Sequence, residues 1–197
     1  MNIVEFQAIL DDLSSWRKDE LATARYLAEM SSDAQSKKYL CRAWTVMMYA
    51  HCDNFLSKTV QHYIEFIKQD LPKNYRPDLV WLIFEGKDNA KYASKSYLSP
   101  FKKGDNLDVY FKAISSDAAL GRNFNYNSLR FLCEWVIQIP FEYKNWEAFC
   151  KILTRRRNDI AHGEETYIDD ISLCVDWHEK TLKFIDDLKD TIISNIK

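Results

Sequence analysis

Arg155-Arg156-Arg157-Asn158-Asp159-Ile160-Ala161-His162-Gly163 closes a stretch that begins near residue 144 and reads as a helix. Trp146, Phe149, Cys150, Leu153 and Ile160 recur through it at the spacing of one helix face. Gly163 is placed to end that helix, because glycine takes the left-handed conformation a helix terminus favours. The same helical periodicity continues outward on both sides and sets the fold class.

Counting about 100° per residue from Leu153, Arg157 falls only about 40° from the centre of the apolar stripe. A guanidinium there is costly unless it is paired or open to a wet cleft. Arg155 and Arg156 lie off the centre and can be solvated. In an unbroken helix His162 would lie roughly 140° further round than Arg157, so the two would not share a face. A turn at Gly163 resolves this by leaving His162 at the C-terminal tip, where the helix dipole favours imidazolium. Asn158, one turn earlier, is positioned to orient that ring or to contact a phosphate. Arg offers a planar fork of donors that fits a phosphate, and His is the side chain suited to proton transfer near neutrality. Together they are what metal-free RNA cleavage requires. On spacing alone a plainer reading stays open: Arg157 pairs with an acid on another helix, and His162 merely caps its own.

Toward the N-terminus, residues 2–30 read as a first helix through Phe6, Ile9, Leu10, Leu13, Trp16, Leu21, Ala24 and Leu27, with a bend allowed at Ser14-Ser15. Ser32-Asp33-Ala34-Gln35 has the pattern of a capping box built on Ser32 and Gln35. A second helix then runs to about Asp70 along Leu40, Trp44, Met47, Met48, His51, Phe55, His62 and Phe66, and Pro72 and Pro77 stop it. Residues 71–118 are the least regular part and read as an insertion within one domain, with a short helix over 79–84. There Lys87, Lys91, Lys95, Lys102 and Lys103 alternate with Tyr92, Tyr97 and Phe101, a mixture that either stacks bases or forms a solvated face. Residues 123–127 are turn-like. Leu129, Leu132, Cys133, Val136 and Ile137 mark a third helix ended by Pro140, and the last runs over about 168–195.

Composition agrees with a helical globule. Four Gly and four Pro in 197 residues, three of the prolines between 72 and 100, leave few breakers elsewhere. A formal charge of -2 excludes a broadly basic nucleic-acid coat, so any RNA contact needs a local positive patch. Cys41, Cys52, Cys133, Cys150 and Cys174 form no CxxC pair and sit in apolar patterns, as reduced structural thiols of a cytoplasmic protein would. No secretory signal or membrane-length apolar run occurs, so a soluble chain is expected, with no membrane partner. No metal-ligand cluster, Gly-rich phosphate loop or Ser/His/Asp arrangement suggests a cofactor or another enzyme class.

The stretch from Arg157 to Gly163 resembles the Arg-X4-6-His signature of HEPN domains (higher eukaryotes and prokaryotes nucleotide-binding). Leu13-Ser14-Ser15-Trp16-Arg17-Lys18-Asp19-Glu20-Leu21 is similar to the first helix of a bacterial HEPN nuclease-like subfamily. The segment from Ala43-Trp44 through Tyr49-Ala50-His51-Cys52-Asp53-Asn54-Phe55 is similar to its second, including an acid at Asp53. The resemblance spans nearly the whole chain and departs in places. Cys52 and Asn54 stand where a bulky aromatic and a glycine are expected. Some HEPN toxins also carry a tyrosine two residues after the histidine that a partner enzyme modifies with nucleotide. Here Gly163-Glu164 follow His162 and the nearest tyrosine is Tyr167, so that route of neutralisation is not expected.

The resemblance implies a single domain over 1–197, an all-α HEPN-type bundle of about five main helices with the insertion between the second and third. It also implies a metal-independent endoribonuclease of bacterial defence or toxin–antitoxin type, acting as a homodimer, with an antitoxin or other defence-system protein as a further partner. Carried over by position, Arg157 binds the scissile phosphate and His162 acts as general base or acid in attack by the 2′-hydroxyl. Asn158 and Asp53 are supporting candidates that orient His162 or balance Arg157. His51, His62 and His178 read as core histidines. The alternatives are a non-catalytic HEPN module that binds RNA, a nucleotide or a protein partner, and a purely structural helical adaptor.

Overall fold

The computed structural model describes residues 1–69, 123–164 and 170–196. Five α-helices organise them: α1 (Ile3–Met30), α2 (Ala34–Ile67), α3 (Tyr126–Phe131), α4 (Glu147–Ala161) and α5 (Ile171–Asn195). A π-helical turn, Leu132–Val136, continues α3, and a 3-10 turn, Tyr143–Trp146, leads into α4. No strand occurs among the described residues, in agreement with the all-α expectation. The expected insertion over 71–118, its lysine–aromatic mixture and short helix, and Tyr167 lie outside the described residues.

Helix α1 packs on α2 and α5, α2 also packs on α4, and α3 lies against α4. The α1 stripe that faces this core keeps Phe6, Leu10 and Leu21 of the expected one, with Leu13 and Ala24 partly buried against it, and departs from it elsewhere. It runs Phe6, Leu10, Ser14, Arg17, Leu21 and Ala28, whereas Trp16 and Leu27 are 44% and 50% exposed. The helix continues through Ser14-Ser15 without a break. Arg17 is only 1% exposed and lies 4.3 Å from the centre of the Trp16 ring, which covers it. The Leu13 carbonyl and the Asn54 side-chain oxygen accept from its guanidinium, while Nε is buried without a partner. Asn54, one of the two departures from the expected second helix, therefore serves here as an acceptor for Arg17.

Helix starts follow local chemistry with one correction. Asp33, not Ser32, caps α2, its carboxylate accepting from the Ser36 amide at 2.6 Å. A carboxylate one residue later meets the free amides better than the expected Ser32–Gln35 box. Asn125 caps α3 by accepting from the Ser128 amide at 2.9 Å. The segment expected as one regular helix up to Pro140 widens instead at Leu132–Val136, where the Ile137 amide reaches back to the Leu132 carbonyl at 2.8 Å. It ends on Gln138 at φ 53, two residues before the proline.

Aromatic rings fill the centre. Phe184 of α5 meets Phe124 and Trp146 edge-on, each at 5.3 Å, and Phe6 stacks on Phe66 at 4.9 Å. Such pairs add about 0.5–1.5 kcal/mol beyond their buried area. All five cysteines are buried and unpaired, and burial pushes the Cys150 and Cys174 thiols up to about 12. No described helix is long and apolar enough to cross a membrane.

The histidines carry a stability consequence. His51 lies 3.0 Å from Glu20 with its ring edge-on to Trp16, His178 packs on Trp44 with Nδ1 unpartnered, and His62 is half-buried. Burial holds all three below the ordinary imidazole value. Just below pH ~6.5 the unfolded chain therefore binds protons that the folded chain does not, so their contribution is complete above that pH and lost as pH falls. Urea unfolding should show lower stability at pH ~5.5 than at pH ~7.5, with a shallower decline in a His178→Phe variant. An identical decline in that variant would remove His178 from the account.

Candidate active site

Helix α4 ends as its sequence dictates. His162 is the C-cap and Gly163 adopts φ 75. The Gly163 amide donates to the Ile160 carbonyl at 3.2 Å and the Glu164 amide to the Asp159 carbonyl at 2.9 Å, the paired bonds of a Schellman motif. These bonds fix where His162 leaves the helix. A Cβ added at Gly163 meets nothing within 4 Å, so only the backbone angle resists substitution. Gly163→Ala should therefore cost about 1–2 kcal/mol in urea unfolding, and Gly163→Asn less, because Asn tolerates the left-handed region. Equal stability of all three proteins would contradict this.

Arg157 is half-buried, as its place near the stripe requires. Its guanidinium lies 4.6 Å from the centre of the Tyr49 ring on α2, and Nη1 donates to the Asn158 side-chain oxygen at 2.9 Å. Asp53, one turn beyond Tyr49, adds a carboxylate that senses the Arg157 charge. No carboxylate oxygen among the described residues comes within ion-pair distance of Arg157. Its charge is met by a π face, an amide and a more distant acid. This is a cation held in place yet not neutralised at contact.

Asp53 is itself half-buried. Burial raises its carboxyl above the ordinary value, and the Phe124 amide and the Arg157 charge pull it partly back. Burial and the Asp53 charge likewise raise the Tyr49 phenol, opposed by Arg157. Phe124 reaches this place because the Thr154 hydroxyl of α4 donates to its carbonyl at 2.8 Å and its ring packs edge-on to Tyr49. The turn before α3 is thus fastened to the site helix.

Arg157 touches Asn158 and the Tyr49 ring, and the Asp53 carboxylate lies near enough to sense both Arg157 and Tyr49. The Asn158 side-chain oxygen engages Arg157, and its carbonyl accepts from the His162 amide at 2.9 Å. The His162 imidazole is exposed at the helix tip, and no described residue hydrogen-bonds it. Arg155 is 3.9 Å from Asp159 and solvent-facing. Tyr49 was legible only as part of a similar segment, although its position four residues before Asp53 puts both on one α2 face. Among the described residues no group of three or more His, Cys, Asp or Glu is arranged to hold a metal ion.

The described helices form an all-α bundle, the fold class of HEPN domains. The family model described as RiboL-PSP-HEPN matches residues 12–194, and the chain belongs to that family. Comparison with curated proteins and with solved structures finds no match. HEPN domains are often nucleases or RNA-binding modules, and they often dimerise.

Proposed function

We propose that this protein is an endoribonuclease that cleaves by 2′-hydroxyl attack without a resident metal, and that it serves bacterial defence or a toxin–antitoxin pair. The observation that supports this most is Arg157, restrained by Tyr49 and Asn158 but not consumed by an ion pair. Such a cation can bind the scissile phosphate and stabilise the charge that builds on it. The 2′-oxygen forms a bond to phosphorus while the bond to the 5′-oxygen breaks, giving a 2′,3′-cyclic phosphate and a 5′-hydroxyl. One proton leaves the nucleophile and one reaches the leaving oxygen. Each chain brings one imidazole at this place, His162, so a homodimer with two facing copies supplies both base and acid. Asp53 and Asn158 set the position and charge balance of Arg157. An antitoxin or other defence-system protein is the expected controlling partner.

One observation favours a second reading, RNA binding without cleavage: within a single chain no described residue orients the His162 ring. Incubating the pure protein with total RNA in chelator separates the two. New ends bearing cyclic phosphate are the expected result; retained RNA with no new ends supports the binding module instead.

A further inference from the structure

A cleft of about 730 Å³ lies beside the end of α4, between that helix and the first half of α2. Ala43, Val46 and Ile160 give it an apolar lining. Along its α2 edge stand Gln35, Lys38, Tyr39 and Arg42, with Gln35, Tyr39 and Arg42 at successive turns of one helix face. The opposite edge is Gly163 and Glu164, the residues that directly follow His162. Tyr39 is 72% exposed, an aromatic ring left in water at the cleft mouth. Arg42 is half-buried and makes no ion pair with any described residue. Arg42 precedes Tyr49, whose ring holds Arg157, by about two turns or 10 Å along α2. The cleft therefore continues the candidate site past His162 and carries cations of its own, Arg42 and Lys38.

We propose that this cleft seats a nucleotide of single-stranded RNA next to the scissile phosphate. Tyr39 stacks on the base, Arg42 holds a phosphate, and the Gln35 amide offers a donor and an acceptor to the base edge. Three features favour a nucleic acid over a protein segment: the aromatic ring and guanidinium are neighbours on one helix face, Arg42 makes no ion pair with a described residue although Glu164 lines the opposite edge, and the apolar floor is short. Stacking on an aromatic ring is tolerant of sequence, so the subsite contributes affinity more than base choice. The placement next to the cut rests on the endoribonuclease reading; the binding chemistry does not.

The test uses full-length His162→Ala protein as a binding host and a short fluorescein-labelled single-stranded RNA, read by anisotropy. Adding Tyr39→Ala or Arg42→Ala should weaken binding roughly tenfold each, and Arg42→Ala should also lower the salt slope by about 1. Tyr39→Phe should bind as the host does, because the ring and not the hydroxyl acts. Tyr26→Ala, at an exposed tyrosine on α1, should also leave binding unchanged. Unchanged affinity in both Tyr39→Ala and Arg42→Ala overturns the proposal. With His162 intact, the same two changes should raise KM and leave kcat nearly unaltered. If the unmutated protein fails to cleave yet both changes weaken binding, the subsite stands and the nuclease reading falls. If it cleaves and both variants bind as the host does, the subsite alone falls.

Discussion

His162→Ala protein should cleave RNA about a thousandfold more slowly than the parent and melt at the same temperature. The side chain is exposed and no described residue hydrogen-bonds it, so removing it takes nothing from the core. Whatever rate is lost is then chemical. Arg157→Ala should lose a further comparable factor, on the order of 10²–10³, through loss of charge stabilisation at phosphorus. That change is less clean, because the guanidinium also stacks on Tyr49 and accompanies a half-buried Asp53. Arg157→Lys separates the effects. It retains a charge but not the planar fork, so it should fold like the parent and recover only part of the activity. Undiminished cleavage by purified His162→Ala protein would refute the assignment outright.

Arg17 should give the largest effect on stability. Its guanidinium sits under Trp16 and 5.7 Å from the Phe55 ring, with its pKa lowered by burial and partly restored by Asp12 and Glu20. Arg17→Ala empties that space and removes the bonds to Leu13 and Asn54, a loss of about 3 kcal/mol that comes mainly from packing. Arg17→Met fills much of the same volume and removes a desolvated charge that has no carboxylate in contact, so it should recover at least half of the loss. Urea midpoints of the three proteins decide the matter. A Met variant as unstable as the Ala variant would mean that the hydrogen bonds, and not the packing, hold α1 to α2.

Much of this molecule was readable from its residues because helical periodicity and helix-ending glycine are local properties. Gly163 at positive φ, the buried thiols and the half-buried Arg157 all follow from spacing along one strand of sequence. Arg17 was not legible in that way. The apolar pattern pointed to Trp16, and only the packing of α2 shows that the ring serves as a lid on its charged neighbour. The widened turn at Leu132–Val136 was hidden for a similar reason, since nothing in the residues themselves forbids an ordinary helix. At the site, the sequence supplied Arg157, Asn158, Asp53 and His162. It did not supply Tyr49 as the platform for Arg157 or the Phe124 segment fastened by Thr154, because those contacts join residues far apart in the chain.

The shut-away cysteines have a practical consequence. A thiol reagent such as a maleimide meets no reactive sulfur on the intact surface, so it labels the protein only as fast as local segments open. Cys41 and Cys174 face each other across α2 and α5, whereas Cys150 is on α4 and Cys133 on the turn that continues α3. Their separate alkylation rates make the native chain its own stopwatch, timing how often each side of the bundle breathes.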